Sequence, residues 1–426
     1  MSPVSEVQSI APGVSQRWRW AVAGVLVLAS LVAAVVLTVR HPDALVTFLP
    51  STDMHELHVD FDTFWNSAVA LVHGTDIYET PAKLHNLNPP LLSVLLAPFA
   101  ALDVVTAYRI WAALTLLMVV AALIAVAREL RLRPLVTVLV LLAVLASSPL
   151  HGTLVLGQIY PLLLVGLVAG WIAQRRGHPV LGAVLYGVVV ALKPSLAPLL
   201  LLPAAQRQWT SFRAGIAGAV VATVVGVLGA GPSSAWGWLR IAFSEGVPDS
   251  VDNASLPGLA VRFGVPSVVG MVLGVAVLVG TLWWFGKHRD RVGAAGTAPW
   301  AVLAASLLLS PIAWHNYLML LWPGVMLLIV LGRAPITAVA LAVAIIPVSW
   351  NAEWPPHGVA AAVARSLYCA ILVGYWVVLV RGSALPLPGS SGSSTTGAEP
   401  SVAGSSVAAG SAVVAGSAGE AGASAS

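Results

Sequence analysis

The sequence predicts an all-α, polytopic membrane protein of about twelve transmembrane helices, some short or broken, with folded loops on one side. Three observations predict it. Residues of the AVILMFWYC set make up 58% of the 426 and charged residues only 9%, where a soluble domain carries about 25% charged. Mean hydropathy is +0.90, which excludes soluble and disordered classes together. The few charges also sort along the chain by sign. The single cysteine, Cys369, excludes an intramolecular disulfide, a thiolate zinc cluster and an iron–sulfur site.

The first element follows Arg17 and Arg19 and runs from Ala21 to Val39. It is too long for a signal-peptide core and lacks a convincing cleavage site, so it reads as a retained anchor. Residues 1–19 precede it as a cytoplasmic segment. A polar stretch from Arg40 to Pro90 follows. Further apolar segments lie at about 106–127, 135–150, 157–174, 179–192, 194–205, 214–231, 267–286, 299–312, 316–331, 335–349 and 360–380. The pair 179–205 also reads as one long or broken span. Leu91–Leu102 is apolar but too short and too near Asp103 to span, and is expected at the interface or dipping in from outside. One multi-span domain thus covers 20–381. Residues 382–426, rich in Ser, Gly and Ala, read as a disordered cytoplasmic tail.

Charge sets the expected orientation, because Lys and Arg concentrate in cytoplasmic loops. With the N-terminus cytoplasmic, fourteen of 21 basic residues fall inside and twelve of 17 acids, from Asp43 to Glu353, fall outside. The net charge of +4 is therefore a topology signal and not a nucleic-acid footprint. Three outer loops are expected, at about 40–105, 232–266 and 351–358. Their aromatics, prolines and acids suggest folded caps over the outer face. No clear internal repeat is present, which disfavours a lipid or solute transporter.

In the first outer loop, His58-Val59-Asp60-Phe61-Asp62-Thr63-Phe64-Trp65 leads into a helix ending at His73-Gly74. Asp62 is placed as its N-cap and Gly74 at its C′ position. Asp60, just ahead of the helix between Val59 and Phe61, has no capping duty. A carboxylate wedged among apolar groups acquires a raised pKa and can serve as a base. His55, Glu56, His58, Asp60 and Asp62 share a face only if extended and match no standard zinc motif. They read as solvated loop residues, and no metal is expected. Thr75-Asp76-Ile77-Tyr78 and Leu87-Asn88-Pro89-Pro90 follow, the prolines marking a rigid helix start.

Ionisable groups near bilayer depth are functional candidates by default. Lys193, in Ala-Leu-Lys-Pro-Ser, sits where Pro194 breaks a span near the outer boundary. It reads as an ammonium aimed at an anionic headgroup, against a snorkelling lysine. Gln158 opens a span on the outer side. His315, in Trp-His-Asn-Tyr, lies at an outer junction and is weighed against a buried structural donor. Asn253, Ser255 and Arg262 lie in the second long loop. No Walker motif or Gly-rich phosphate loop appears, so nucleotide hydrolysis is not expected. One carboxylate, a lysine, a histidine and arginines on one face suit a reaction in which a base deprotonates a hydroxyl and cations neutralise a departing phosphate.

At these residues the chain resembles glycosyltransferase family 87, multi-span enzymes of the C-type glycosyltransferase superfamily. The family includes polyprenol-phosphate-mannose-dependent alpha-1,2-mannosyltransferases and a related arabinofuranosyltransferase. The resemblance is carried by Asp60-Phe61-Asp62-Thr63-Phe64-Trp65, His73-Gly74-Thr75-Asp76-Ile77-Tyr78, Asn88-Pro89-Pro90, Gly157-Gln158, Leu192-Lys193-Pro194, Asn253-Ala254-Ser255 and Trp314-His315-Asn316-Tyr317. Many relatives have Tyr-Pro-Pro where Asn88-Pro89-Pro90 stands. The resemblance implies an inverting transferase without a cofactor, in the bacterial plasma membrane, its site facing the periplasm and its termini the cytoplasm. The donor would be a polyprenyl-phosphate sugar, mannose being the first reading and arabinofuranose the alternative. The acceptor would be an envelope glycolipid or polysaccharide. Asp60 would be the general base. Lys193, His315 and Arg262 would hold the donor phosphate, and Asp62, Tyr78, Asn88, Gln158 and Asn253 would line the substrate pocket.

Overall fold

The computed structural model describes residues 14–41, 52–242, 246–289, 296–355 and 357–382. Expectations about residues 1–13, the tail from 383 onward, Asp43, Glu245 and Arg291 lie outside the described residues. The described chain is helical, and its one β-bridge joins Asn253 to Trp314.

Helix α1 is Val14–Arg40. After the first loop come α2 (Val59–Val72) and α3 (Pro90–Leu96), which a 3-10 turn, Ala97–Ala101, extends. The next four are α4 (Val104–Glu129), α5 (Pro134–Leu145), α6 (Ser148–Leu156) and α7 (Tyr160–Arg175). Helix α8 (Pro179–Leu192) ends at Lys193 and is followed by a 3-10 turn, Pro194–Leu200, and the short α9 (Leu201–Ala205). Then come α10 (Trp209–Ala230), α11 (Ser233–Ala242), α12 (Leu256–Arg262), α13 (Ser267–Lys287) and α14 (Ala298–Leu309). A 3-10 turn at His315–Leu321 leads into α15 (Trp322–Val330), and α16 is Ala334–Val343. Helices α17 (Val359–Ala364) and α18 (Leu367–Gly382) close the described chain.

Helix length by itself meets the expected count of about twelve spans only in part. Among the described residues, Arg17–Arg40, Val104–Glu129, Trp209–Ala230 and Ser267–Lys287 are each long and apolar enough to cross a bilayer. The pair α5 and α6, bent by 52°, would make a fifth. The sequence reading of about twelve counts apolar segments, several of which form helices of 10–17 residues. At about 1.5 Å per residue these fall short of a hydrocarbon core of about 30 Å. The breaks have local causes. Pro149 stands just inside α6, and Pro194 has no N–H with which to continue α8.

The long helices turn apolar faces outward: Val25, Leu28 and Val35 of α1, Val221 and Leu228 of α10, and Val272 and Val279 of α13 are exposed. Inside, packing depends on small residues, as expected where lipid and side chain are equally apolar. Helix α8 lies along α7 and α10. A Cβ on Gly187 of α8 would stand 2.2 Å from the Gly215 carbonyl of α10, so only glycine permits that approach. Trp171, Trp300 and Trp322 are completely enclosed, with Trp171 and Trp300 edge to face at 6.0 Å.

Candidate active site

A cavity of about 520 Å³ lies where the first loop, the 157–160 turn, the α8 break, the 246–248 segment and the 312–314 turn converge. Asp60, Asn88, Gln158, Tyr160, Lys193 and Trp314 are on its wall.

Asp60 is in the first turn of α2, which begins at Val59 with His58 as N-cap. The helix therefore starts earlier than the sequence reading placed it. Asp62 is not the N-cap: its N–H already donates to the His58 carbonyl at 2.9 Å. The Asp62 carboxylate instead accepts from Asn66 at 3.2 Å and lies 3.5 Å from His55. It does not reach the cavity wall. Gly74 does occupy the turn beyond the helix end, with φ +69.

Gln158 reaches Asp60 because of Gly157. That residue leaves α6 with φ +74, and a Cβ there would stand 2.4 Å from Cβ of Phe61. Glycine thus satisfies the left-handed turn and lets α2 lie against it. The turn is tied to α4 by Trp111, whose indole donates to the Gly157 carbonyl at 3.1 Å, and by Tyr108, which donates to Leu154 O at 2.8 Å. Held there, Gln158 Nε2 donates to Asp60 Oδ2 at 2.5 Å.

Burial raises the Asp60 pKa to about 6, against the Gln158 hydrogen bond and the Lys193 charge, which lower it; Asp252 raises it further. A carboxyl so placed titrates close to neutral pH, where a general base is effective.

Lys193 stands at the α8 break with φ −143 and ψ 87. Its Nζ donates to Asn88 Oδ1 at 3.0 Å and lies 5.9 Å from the centre of the Tyr317 ring. Asn88 is itself held in place. Asn86 Oδ1 accepts from its N–H at 3.0 Å and its Nδ2 at 3.2 Å, and Tyr78 donates to its carbonyl at 3.0 Å. Tyr78 is consequently a buried brace behind Asn88 and not part of the wall. Burial raises its pKa above the usual phenol range.

The other expected site residues are placed elsewhere. Asn253 is fully buried, and its Nδ2 donates to the carbonyls of Pro248 at 3.0 Å and Pro311 at 3.2 Å. Its Oδ1 accepts from Ser255 N at 3.2 Å and Ala313 N at 3.1 Å. It clamps two wall segments together without joining the wall. Arg262 Nη1 donates to the carbonyls of Ser250 at 2.9 Å and Asn253 at 2.8 Å, and Nε donates to Ser366 Oγ at 3.2 Å. Through Nη1 and Nε the guanidinium fastens the second loop. The His315 N–H donates to Asp252 O at 2.6 Å, and its ring packs at 4.8 Å on Tyr368, away from the cavity wall. The backbone direction at the Asn253–Trp314 bridge sends Trp314 to the cavity.

Sequence reasoning passed over Lys83, His85, Tyr160 and Trp314, all on the wall. Trp314 belongs to the Trp314-His315-Asn316-Tyr317 motif, and Tyr160 stands two residues after Gln158. Lys83 and His85 carried no signal beyond being charged or polar in a loop. Among the described residues no three His, Cys, Asp or Glu side chains gather as metal ligands. Glu56 pairs instead with Lys83 at 2.7 Å, and His58 stacks on Tyr108 at 3.8 Å.

The family model for glycosyltransferase family 87 matches residues 86–311, just over half of the chain. The chain belongs to glycosyltransferase family 87. Asn88, Gln158 and Lys193 lie inside the family-87 match, and Asp60 and His315 lie on either side of it. An alpha-(1->3)-arabinofuranosyltransferase of Corynebacterium glutamicum is 27% identical over 284 residues, covering 63% of this chain and 67% of that protein. Its counterpart from Mycobacterium tuberculosis H37Rv is 27% identical over 281 residues, with 63% and 65% covered. A polyprenol-phosphate-mannose-dependent alpha-(1-2)-phosphatidylinositol mannoside mannosyltransferase of Mycolicibacterium smegmatis is 25% identical over 310 residues, with 64% and 70% covered. The matches thus span about two thirds of each relative's length. Among solved structures, ArnT from Cupriavidus metallidurans bound to undecaprenyl phosphate superposes with a TM-score of 0.39 at 16% identity, over 82% of this chain and 77% of that one.

Proposed function

We propose that this family-87 protein transfers a sugar from a polyprenyl-phosphate donor to a hydroxyl of an envelope glycolipid or polysaccharide, on the extracytoplasmic face of a bacterial plasma membrane. The observation that carries this reading is that Asp60 and Lys193 share the wall of one cavity. Ionised Asp60 takes the proton of the acceptor hydroxyl. The freed oxygen attacks the anomeric carbon as the bond from that carbon to the phosphate oxygen breaks. The electron pair leaves with the polyprenyl phosphate, and Lys193 neutralises the charge that develops there. A single displacement of this kind inverts the anomeric centre. Asn88 steadies the ammonium, and Gln158 orients the base. His315 and Arg262 support this site through the Trp314 turn and the second loop.

Mannose is the first reading for the donor sugar. Arabinofuranose is the second, favoured by the 27% identity to the Corynebacterium glutamicum arabinofuranosyltransferase against 25% to the Mycolicibacterium smegmatis mannosyltransferase. The test incubates purified protein with polyprenyl-phosphate mannose and, separately, polyprenyl-phosphate arabinofuranose, each with glycolipid acceptors. A hexose increment in product mass supports mannosyl transfer and a pentose increment the alternative. Flipping of lipid in liposomes with no new glycosidic bond would overturn both.

A further inference from the structure

Helix α1 packs chiefly on α16, and its two ends are held differently. At one end Arg40 Nη1 lies 2.5 Å from Glu353 Oε2, and His41 Nε2 lies 3.1 Å from Glu353 Oε1. There a protein carboxylate answers the basic groups. Near the other end, Trp18, Arg19, Val22 and Leu26 of α1 face Arg333 and Ile336 across a groove of about 640 Å³. Neither the Arg19 nor the Arg333 side chain has an ion-pair or hydrogen-bond partner among the described residues.

Arg19 and Arg40 bracket the apolar length of α1. At about 1.5 Å rise per residue they stand roughly 30 Å apart, the thickness of a hydrocarbon core. The groove arginines therefore lie at the bilayer surface opposite the Arg40–Glu353 pair. A guanidinium is a planar fork suited to phosphate oxygens, and basic pockets between transmembrane helices bind anionic headgroups. Below the arginines the groove is apolar, which suits an acyl chain. Trp18 is 69% exposed, as befits an indole at the level of headgroups.

We propose that the groove between α1 and α16 binds an anionic diacyl phospholipid of the surrounding membrane. Its phosphate sits between Arg19 and Arg333, and one acyl chain runs along Val22, Leu26 and Ile336. The lipid supplies at this end of α1 the negative charge that Glu353 supplies at the other. This site is separate from the Asp60 cavity and does not depend on the reaction proposed there.

The test is native mass spectrometry of the full chain, loaded with dioleoylphosphatidylglycerol and dioleoylphosphatidylcholine at equal concentration. The phosphatidylglycerol is expected to be retained in preference by about thirtyfold, two basic groups acting together. The double variant Arg19→Gln/Arg333→Gln should lose the preference, and Arg19→Lys/Arg333→Lys should keep most of it. If the glutamine variant does not fold, the lysine variant and the wild-type competition still decide. Equal retention of the two lipids by the wild type would overturn the proposal. So would an undiminished preference in the folded glutamine variant, or displacement of the phosphatidylglycerol by an equal amount of polyprenyl phosphate.

Discussion

Gln158 Nε2 donates to Asp60 Oδ2 across 2.5 Å, joining side chains 98 positions apart. The contact exists because Gly157 removes the Cβ that would strike Phe61. It leaves one amide orienting a carboxylate whose titration burial has moved to about 6.

Asp60→Asn should reduce glycosyl transfer by about 10²-fold or more, the usual scale for a positioned general base, with insertion and fold retained. Product formation by the purified variant measures this. Activity near the wild-type level would remove Asp60 from the reaction.

The rate should depend on pH through the same group. The base works ionised, so kcat/KM is expected to rise with pH up to about 6 and to level off above it. Gln158→Leu removes the hydrogen bond that lowers the Asp60 pKa, so the inflection should move to higher pH. A profile flat from pH 4 to 8 in the wild type would contradict the assignment.

Stability should move the opposite way to activity. The Asp60 pKa is raised from 3.8 to about 6, so the native state binds the proton more tightly than the unfolded chain does. Its ionisation therefore costs stability as pH rises through that window. Asp60→Asn removes the cost and should stabilise the protein by about 3 kcal/mol above pH 7 and by little below pH 4. Thermal unfolding in detergent at the two pH values reads the difference.

Asn253→Ala should destabilise the fold by about 2–4 kcal/mol, because four partners, the Ser255 and Ala313 N–H groups among them buried, lose their hydrogen bonds together. Its clamp carries Pro248, itself on the wall, and Ala313, between the wall residues Ile312 and Trp314. Activity at a temperature where the variant stays folded should therefore also fall. A variant with wild-type unfolding temperature and wild-type activity would refute the clamp.

The expected orientation is open to labelling, since the native Cys369 is buried. A cysteine at Lys83, exposed beside the cavity, should react with an impermeant maleimide on intact cells. One at Arg131 should react only after permeabilisation. The reverse pattern would place the cavity on the cytoplasmic side.

Much of this was legible before folding. Asp60 between Val59 and Phe61, Lys193 before Pro194, and Gln158 after Gly157 are conflicts visible within a few residues: a polar group at apolar depth, or a helix that must stop. All three reach the cavity wall. Asp62, Tyr78, Asn253, Arg262 and His315 bore the same kind of mark and do not: Asp62 turns to its neighbours Asn66 and His55, and the other four are taken up by packing or backbone partners contributed by folding. Tyr160 and Trp314 show the converse. Their aromatic character is ordinary in such a chain, and only their direction brings them to the cavity.

Composition and local order by themselves determined that the chain is apolar and helical, where its helices break and which polar groups stand out of place. These properties depend on hydropathy and on backbone geometry over a turn or two of chain. Tertiary structure alone decided which of those groups meet. Side-chain direction at the wall depends on how α2 lies against the Gly157 turn and how the 246–255 segment pairs with 311–315, and those contacts join residues roughly 60 to 100 positions apart. No local pattern encodes a crossing angle between such segments, so the choice of which candidates share a cavity was made by packing.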